Sequence, residues 1–402
     1  MRSPPSLLVC RPSGWRVLVV LLAPLVAAPA PPPTQTAPVV SAFAPWGTAT
    51  LGFTVEPVIL GLPVRLVEVG DLDGDSDLDL VVLAEDEQKT RTVVLRTHGG
   101  SGFAIWWEDE TRYPTSLWGL DLELGDLDRD GDLDLTVNAP GLGLAARFNA
   151  GDATFDEIGN IPDQGLYVDV EVADLDGDEA LDIAYYELDI IGYMGAHAGH
   201  GDGTFSLAFD LPLSQINQSD LRIALGDVTG DGLYELLVAT KAGLYQLLGQ
   251  LVPGFFPYWL PPATLLAGGA HRDVVTGDLD GDGLLDVVGA ATAADAVSVL
   301  LGQPGGGLSS PVLYPAGPSP SAAALGDIDA DGRLDVVVTN RRGEVSVLPG
   351  TGAGGLAAPV GFKVGRRLSD VATGDLDSDG DIDLVVTDLL GTVLILRNQI
   401  IP

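Results

Sequence analysis

Cysteine is nearly missing from this chain: Cys10 is the only one in 402 residues, so there is no intrachain disulfide framework. Histidine is almost as scarce, with four, which argues against a Cys/His metal site. Basic residues are also few. Lys and Arg total 20 against 57 Asp and Glu, a net charge of −37. Gripping nucleic acid needs a basic face, and anionic lipid would repel such a surface. Aromatics make up only 6% of the chain. No segment keeps a helical periodicity, and beyond the amino terminus no apolar run is long and charge-free enough for a transmembrane helix. No Gly-x-Ser-x-Gly elbow occurs.

What is present excludes an acidic disordered tail, because 46% of residues are apolar and only 19% are charged. The 52 glycines and 28 prolines point to many turns. At the amino terminus, Arg2, Arg11 and Arg16 lead into Val17–Ala28, an apolar run of 12 residues that is too short to span a bilayer. The small residues Ala27, Ala28 and Ala30 follow. This reads as a signal peptide over residues 1–30, then a proline-rich leader over 31–50 and one folded unit over 51–402. The expectation is export to a calcium-rich, oxidising space, as a secreted or cell-surface protein. Cleavage would remove Cys10 and leave 17 basic residues against 57 acids, with no membrane insertion of the mature chain.

The acids are not spread evenly. One acidic segment recurs seven times, starting at Asp71, Asp126, Asp174, Asp227, Asp278, Asp327 and Asp375, at separations of 55, 48, 53, 51, 49 and 48 residues. These loops hold 31 of the 57 acids. Each is followed by a β-branched run (Leu80–Leu83, Val336–Thr339, Leu384–Thr387), a turn, and a second run such as Val297–Leu301 or Val393–Leu396. A glycine-rich turn comes next, as in Gly201–Phe205, and then two weaker strands. Four short strands in about fifty residues, repeated seven times, predict an all-β, seven-bladed propeller of four-stranded antiparallel blades. A linear β solenoid is the alternative. The seventh repeat stops after Val393–Arg397 without an outer strand, and Phe53–Leu60 resembles the missing one. The amino-terminal strand should therefore close the ring.

Within each loop, oxygen-bearing residues occupy positions 1, 3, 5 and 9, with the position-7 carbonyl as a further donor. Loop 1 offers Asp71, Asp73, Asp75, Asp77 and Asp79; loop 2 offers Asp126, Asp128, Asp130, Asp132 and Asp134. Loop 3 has Asp174, Asp176, Asp178, Ala180 and Asp182; loop 4 has Asp227, Thr229, Asp231, Leu233 and Glu235. Loop 5 has Asp278, Asp280, Asp282, Leu284 and Asp286; loop 6 has Asp327, Asp329, Asp331, Arg333 and Asp335. Loop 7 has Asp375, Asp377, Asp379, Asp381 and Asp383. All-oxygen ligation with variable denticity suits Ca²⁺, and up to seven sites are expected. An EF-hand is rejected, because its position 12 needs a Glu and here it is Val82, Val137 or Gly289, on strand-like flanks. Carboxylates about 4 Å apart repel by about 1 to 4 kcal/mol, so a cation is needed to hold each loop closed. Ser76 and Glu179 replace the position-6 glycine that eases the turn, and Thr229 with Glu235 makes loop 4 the weakest.

The D-x-D-x-D-G-x-L-D loop, preceded by Gly in six of seven repeats, resembles FG-GAP/VCBS repeat proteins, among them the calcium-binding blades of integrin α-chains and many exported bacterial proteins. The resemblance covers roughly residues 53–398. It implies calcium on one face of the propeller and ligands on the other. The Phe-Gly and Gly-Ala-Pro signatures of the integrin version are mostly absent; Asn138-Ala-Pro140 is a partial echo. The exported bacterial type is therefore the closer likeness.

No catalytic constellation stands out. His98 and His271 lie in different repeats, and His197 and His200 read as exposed turn residues beside glycines. A polysaccharide lyase or hydrolase remains the enzymatic alternative, although no carboxylate pair can be singled out. An extracellular scaffold is the third reading. The binding or adhesion reading, with a glycan or protein ligand, rests on Arg341, Arg342, Lys363, Arg366 and Arg367, five basic residues within 27 positions on the rim opposite the loops. Their alternative partners are Asp370 and Glu344. Two aromatic groups are further candidates for sugar stacking or for blade packing: Trp106, Trp107, Tyr113 and Trp118, and Phe255, Phe256, Tyr258 and Trp259. The one glycosylation sequon is Asn217-Gln-Ser219.

Overall fold

The computed structural model describes residues 45–46, 49–85, 90–97, 102–111, 121–139, 143–155, 157–159, 161, 165–188, 192–213, 216 and 221–399. The expected signal peptide, most of the leader, His98, Tyr113, Trp118 and the sequon lie outside the described residues. Within the leader, Pro45–Trp46 pairs antiparallel with Ala49–Thr50, a short ladder that proline content alone did not suggest.

Seven four-stranded antiparallel sheets follow one another along the chain. Blade 1 starts with Val64–Gly70, blade 2 with Asp121–Gly125, blade 3 with Tyr167–Ala173 and blade 4 with Arg222–Gly226. Blades 5, 6 and 7 start with Val274–Gly277, Pro320–Gly326 and Leu368–Gly374. These first strands touch their neighbours all the way round, Leu368–Gly374 meeting Val64–Gly70. The ring is therefore closed, the first strands line its axis, and the solenoid is excluded. Closure is made by Phe53–Ile59, which pairs with Thr392–Asn398 from Phe53↔Asn398 to Ile59↔Thr392. The amino-terminal strand is thus the outer strand of blade 7, as expected.

Alternating apolar residues put one face of each sheet against the preceding blade and the other against the next. The core accordingly divides into seven clusters, one per blade interface. Leu80–Ala84 and Val336–Val338 are fully buried because second strands pack on both sides. The letters of the acidic motif also serve this packing. The apolar residue at position 2, from Leu72 to Leu376, is buried in every loop. The position-8 side chain reaches the preceding blade, where a glycine makes room. A Cβ on Gly70 would meet Leu133 at 2.7 Å, one on Gly125 would meet Leu181 at 2.7 Å, and one on Gly374 would meet Leu78 at 2.8 Å.

Phe53 ties the closing strand to blade 6. Its ring is 2% exposed and meets Phe362 edge-on, with centroids 5.0 Å apart. Phe53→Ala removes this contact at the ring's seam and should cost about 3–5 kcal/mol. A lower urea midpoint in calcium checks it; an unchanged midpoint would show that the strand is not needed for closure.

Candidate metal centres and binding rim

The acidic loops join the first and second strands of each blade, so all seven emerge on one face. Their shape comes from the backbone as much as from the acids. Position 1 accepts the N–H of position 6: Asp278 Oδ2 takes that of Gly283 at 2.9 Å, and Asp327 Oδ2 that of Gly332 at 2.8 Å. Position 5 accepts from position 7, as Asp282 Oδ1 does from Leu284 at 2.9 Å. Both position 4 and position 6 are left-handed. Ser76 and Glu179 hold φ of 72° where the other loops have glycine, and Arg129, Ala330 and Ser378 do the same at position 4. These are strained conformations for residues with a side chain, and the sequence reading had noticed only position 6.

The ninth residue has two tasks. In every loop one of its oxygens accepts the N–H of position 2 and the other accepts an N–H at the end of the third strand. Asp134 takes Leu127 N–H at 2.9 Å and Asn149 N–H at 2.8 Å. Asp286 takes Leu279 and Gly302 N–H, both at 2.8 Å. Glu235 does the same with Val228 and Gly249. These carboxyls are at most 1% exposed, and burial pushes them up: Asp79, Asp134 and Asp383 to about 6, Asp182, Glu235 and Asp335 to about 7.

In loops 1, 2, 3 and 6, oxygens of positions 1, 3 and 9 lie within 4.8 Å of one another; in loop 5 those of positions 1, 3 and 5 do. Asp126 Oδ1 in loop 2 is a buried acceptor with no donor, a lone pair that a cation would satisfy. The donors are all oxygens. The residues present therefore fit a hard cation, and several of these Asp clusters could hold one. In loop 4 the Thr229 hydroxyl faces Glu235 Oε1 at 3.4 Å, in keeping with its low rank. Arg333, expected to offer only its carbonyl, also pairs its guanidinium with Asp331 at 2.6 Å.

The opposite face carries the basic rim. Asn340 shapes the 341–343 turn by accepting the N–H groups of Arg342 and Glu344 at 3.0 and 3.2 Å. The Gly343 carbonyl accepts from Val364 and Gly365, and a Cβ on Gly343 would meet the Gly365 carbonyl at 2.1 Å. This contact brings Arg341 and Arg342 beside Lys363, Arg366 and Arg367, and all five are exposed. No ion pair joins Arg342, Lys363, Arg366 or Arg367 to an acid among the described residues. Asp370, offered as their partner, instead faces the axis and accepts Val67 N–H at 3.0 Å.

The axis holds a group of acids that sequence reasoning missed. Asp121, Asp169, Asp273 and Asp370 each accept an N–H from the first strand of the next blade: Val170, Ile223, Ala323 and Val67. Arg222 bonds to both Asp121 and Asp169. Glu68, Glu123 and Glu171 join them. Burial first and neighbouring carboxylates second raise these groups, Glu68 to about 8, Asp370 to about 7, Asp121 and Asp273 to about 6. The signal was there: the residue five before each loop is Asp in four of seven repeats.

One expectation is corrected. His197 is no exposed turn residue; it lies in the strand Tyr193–Gly199, fully buried, with Nε2 3.4 Å from the Tyr167 hydroxyl. His200 is exposed, as expected. His271 Nε2 lies 2.8 Å from Ser298 Oγ, a nucleophile–base distance, but the two residues are 2% and 0% exposed, so no substrate reaches them. The aromatics divide. Trp107 packs on Phe155 at 5.5 Å and Trp259 on Phe209 at 5.4 Å as blade filling. Trp106 and Phe255 are exposed. Tyr258 and Trp259 line a shallow cleft with Leu175, Leu233 and Pro257 between blades 3 and 4.

Two outcomes follow from this geometry. Asp286→Asn puts an amide where two backbone N–H groups need acceptors and should cost about 1–3 kcal/mol even in chelator; Asp282→Asn keeps the turn's acceptor oxygen and should show its cost only with the metal present. Thermal melts of both, with and without chelator, read the difference. The pH sign is also fixed. A carboxyl raised above its ordinary value penalises the folded state above that raised value, and the penalty lifts as pH falls through it. The chelated protein should therefore melt higher at pH 5.5 than at pH 8. A melting temperature rising steadily with pH would contradict this.

A family model for the FG-GAP-like repeat matches residues 67–137, 278–338 and 327–386. None of the curated proteins matches the chain. Among solved structures, the chain is similar to an Agrocybe aegerita lectin described as recognising non-reducing terminal N-acetylglucosamine, at 19% identity and TM-score 0.53, over 81% of this chain and 86% of that one. It is also similar to BBS1N, solved in complex with ARL6DN, at 14% identity and TM-score 0.57, over 86% of this chain and 95% of that one. At these identities the likeness is one of fold. The three matched stretches and the seven closed four-stranded blades fit an FG-GAP repeat propeller protein.

Proposed function

We propose that this protein is a secreted, calcium-stabilised binding module that captures an extracellular glycan or protein ligand on its basic rim. The observation that carries the reading is the rim itself. In a chain of net charge −37, Arg342, Lys363, Arg366 and Arg367 stand exposed and without an acidic partner among the described residues, on the face away from the acidic loops. Arginine forks of this kind recognise carboxylate or sulfate groups, so an acidic glycan or an acidic protein segment is the chemistry the rim fits.

The fold supports binding in general. Two of the solved structures it resembles are a lectin and a protein captured with its partner, and the blade frame presents rim residues on rigid turns. Calcium is the cation that the loops' all-oxygen donors suit, since Mg²⁺ demands near-ideal octahedral geometry and keeps several waters. Secretion rests on the Arg-flanked apolar run Val17–Ala28. No helix among the described residues is long and apolar enough to cross a membrane. The enzymatic alternative gains nothing here, because the Ser298–His271 contact is sealed.

The test is capture on an array of glycans and matrix proteins, run in calcium and in chelator, with the wild type beside a variant in which Arg341, Arg342, Arg366 and Arg367 are all Ser. Calcium-dependent capture of one anionic class, lost in the variant, is the expected result. Capture unchanged by the four substitutions would remove the rim from the reading.

A further inference from the structure

Loops 1 and 7 differ from the other five through a residue outside the loop. At the end of each third strand, one N–H binds the position-9 carboxylate. The residue just before it is Arg96 in blade 1 and Arg397 in blade 7; the same place holds Phe148, Ala198, Leu248, Leu301 and Pro349 elsewhere. Both guanidiniums turn back into their own loop. Arg96 Nη2 pairs with Asp73 and lies 3.8 Å from Asp75 Oδ2. Arg397 Nη1 donates to Asp383 Oδ2 at 3.0 Å and lies 3.8 Å from Asp377 Oδ2. The two side chains are only 14% and 9% exposed. An aromatic ring from blade 1 holds each in place: Arg96 sits 4.4 Å over Trp106, whose indole N–H is anchored on the Asp152 carbonyl, and Arg397 sits 5.7 Å from Phe103.

One acceptor of each loop is thereby engaged by a fixed cation. In loop 2, Asp134 Oδ2 accepts only Leu127 N–H and keeps a lone pair for an ion. In loop 7, Asp383 Oδ2 accepts both Leu376 N–H and Arg397, while Oδ1 accepts Asn398 N–H. Arg397 Nη2 and Asp377 Oδ1 are both buried and unpartnered, a donor and an acceptor left over within one ion pair. In loop 1 the engaged group is Asp73, at position 3. A fixed positive charge at these places also repels a divalent cation.

We propose that Arg96 and Arg397 are built-in counter-cations of loops 1 and 7, so that these two loops do not take up the calcium that the others take. The inference rests on the calcium reading and is separable from it. The experiment counts ions on the purified protein by native mass spectrometry across a calcium titration. Arg96→Gln and Arg397→Gln should each bind one ion more than wild type, and the double variant two more. Within the otherwise wild-type chain, Asp71→Asn and Asp375→Asn should cost no ion, while Asp278→Asn costs one. Arginine variants that bind the wild-type number, or a loss of one ion in Asp71→Asn or Asp375→Asn, overturn the inference alone. The Asp→Asn arm decides if the arginine variants fail to fold. Absence of calcium from wild type and every variant overturns the calcium reading and, with it, this inference.

Discussion

The carboxylate at the ninth loop position carries the construction of every blade. It joins three places: the start of its own loop, the head of the second strand, and the end of the third strand. Asp335 does so with Ile328 and Gly350, at 2.9 and 2.8 Å. A buried carboxylate accepting backbone N–H groups is favourable only while both oxygens stay paired. The loop therefore cannot drift relative to the third strand, and the convergence of positions 1, 3 and 9 follows from that anchoring. Folding itself thus specifies the candidate cation site, where a bound cation would offset a repulsion that the fold has already created.

Repulsion is the general problem of this molecule. Acids crowd the loop face and a second set crowds the axis, where Arg222 bonds to Asp121 and Asp169. The structure answers with the seven apolar interfaces, each burying several Leu, Val or Ile side chains at about 1.5–3 kcal/mol apiece, and with carboxylates that double as stitches between neighbouring first strands. Asp121, Asp169, Asp273 and Asp370 are costly as charges but fix the angle between blades 2–3, 3–4, 5–6 and 7–1. Between blades 6 and 7, where the repeat lacks this Asp, the Ser321 hydroxyl donates to the Leu368 carbonyl.

The blade plan and the loops were legible because the information is local. Nine consecutive residues carry the loop, and its recurrence at near-constant spacing gives the ring. The missing outer strand of blade 7 could be placed because strands are countable. The axial acids were not legible in the same way, since each is an isolated Asp or Glu in its own strand and acquires its neighbours only when the ring closes. Arg96 and Arg397 lie 17 and 14 residues past the loops they enter, and only register shows that they return. His197 was misread because its glycine-rich flank resembles a turn, whereas Gly195 and Gly199 are glycines that a crowded strand requires: a Cβ at Gly199 would meet the Leu181 carbonyl at 2.1 Å.

The position of the two arginines bears on how the ring closes. Blade 7 is assembled from both ends of the folded unit, so it is complete only when Phe53–Ile59 reaches Thr392–Asn398, the longest loop closure in the molecule and the most costly in chain entropy. Arg397 lies on that closing partner strand, opposite Thr54, and it touches the acids of loop 7 and the Phe103 ring of blade 1 at once. Arg96 neutralises the adjoining loop 1, whose Asp77 is within reach of the Ser378 hydroxyl of loop 7. The seam thus has covalently supplied positive charge at the two loops that the longest chain closure brings together. The other interfaces join blades adjacent in sequence and face a smaller closure cost, so their loops can rely on an ion from solution.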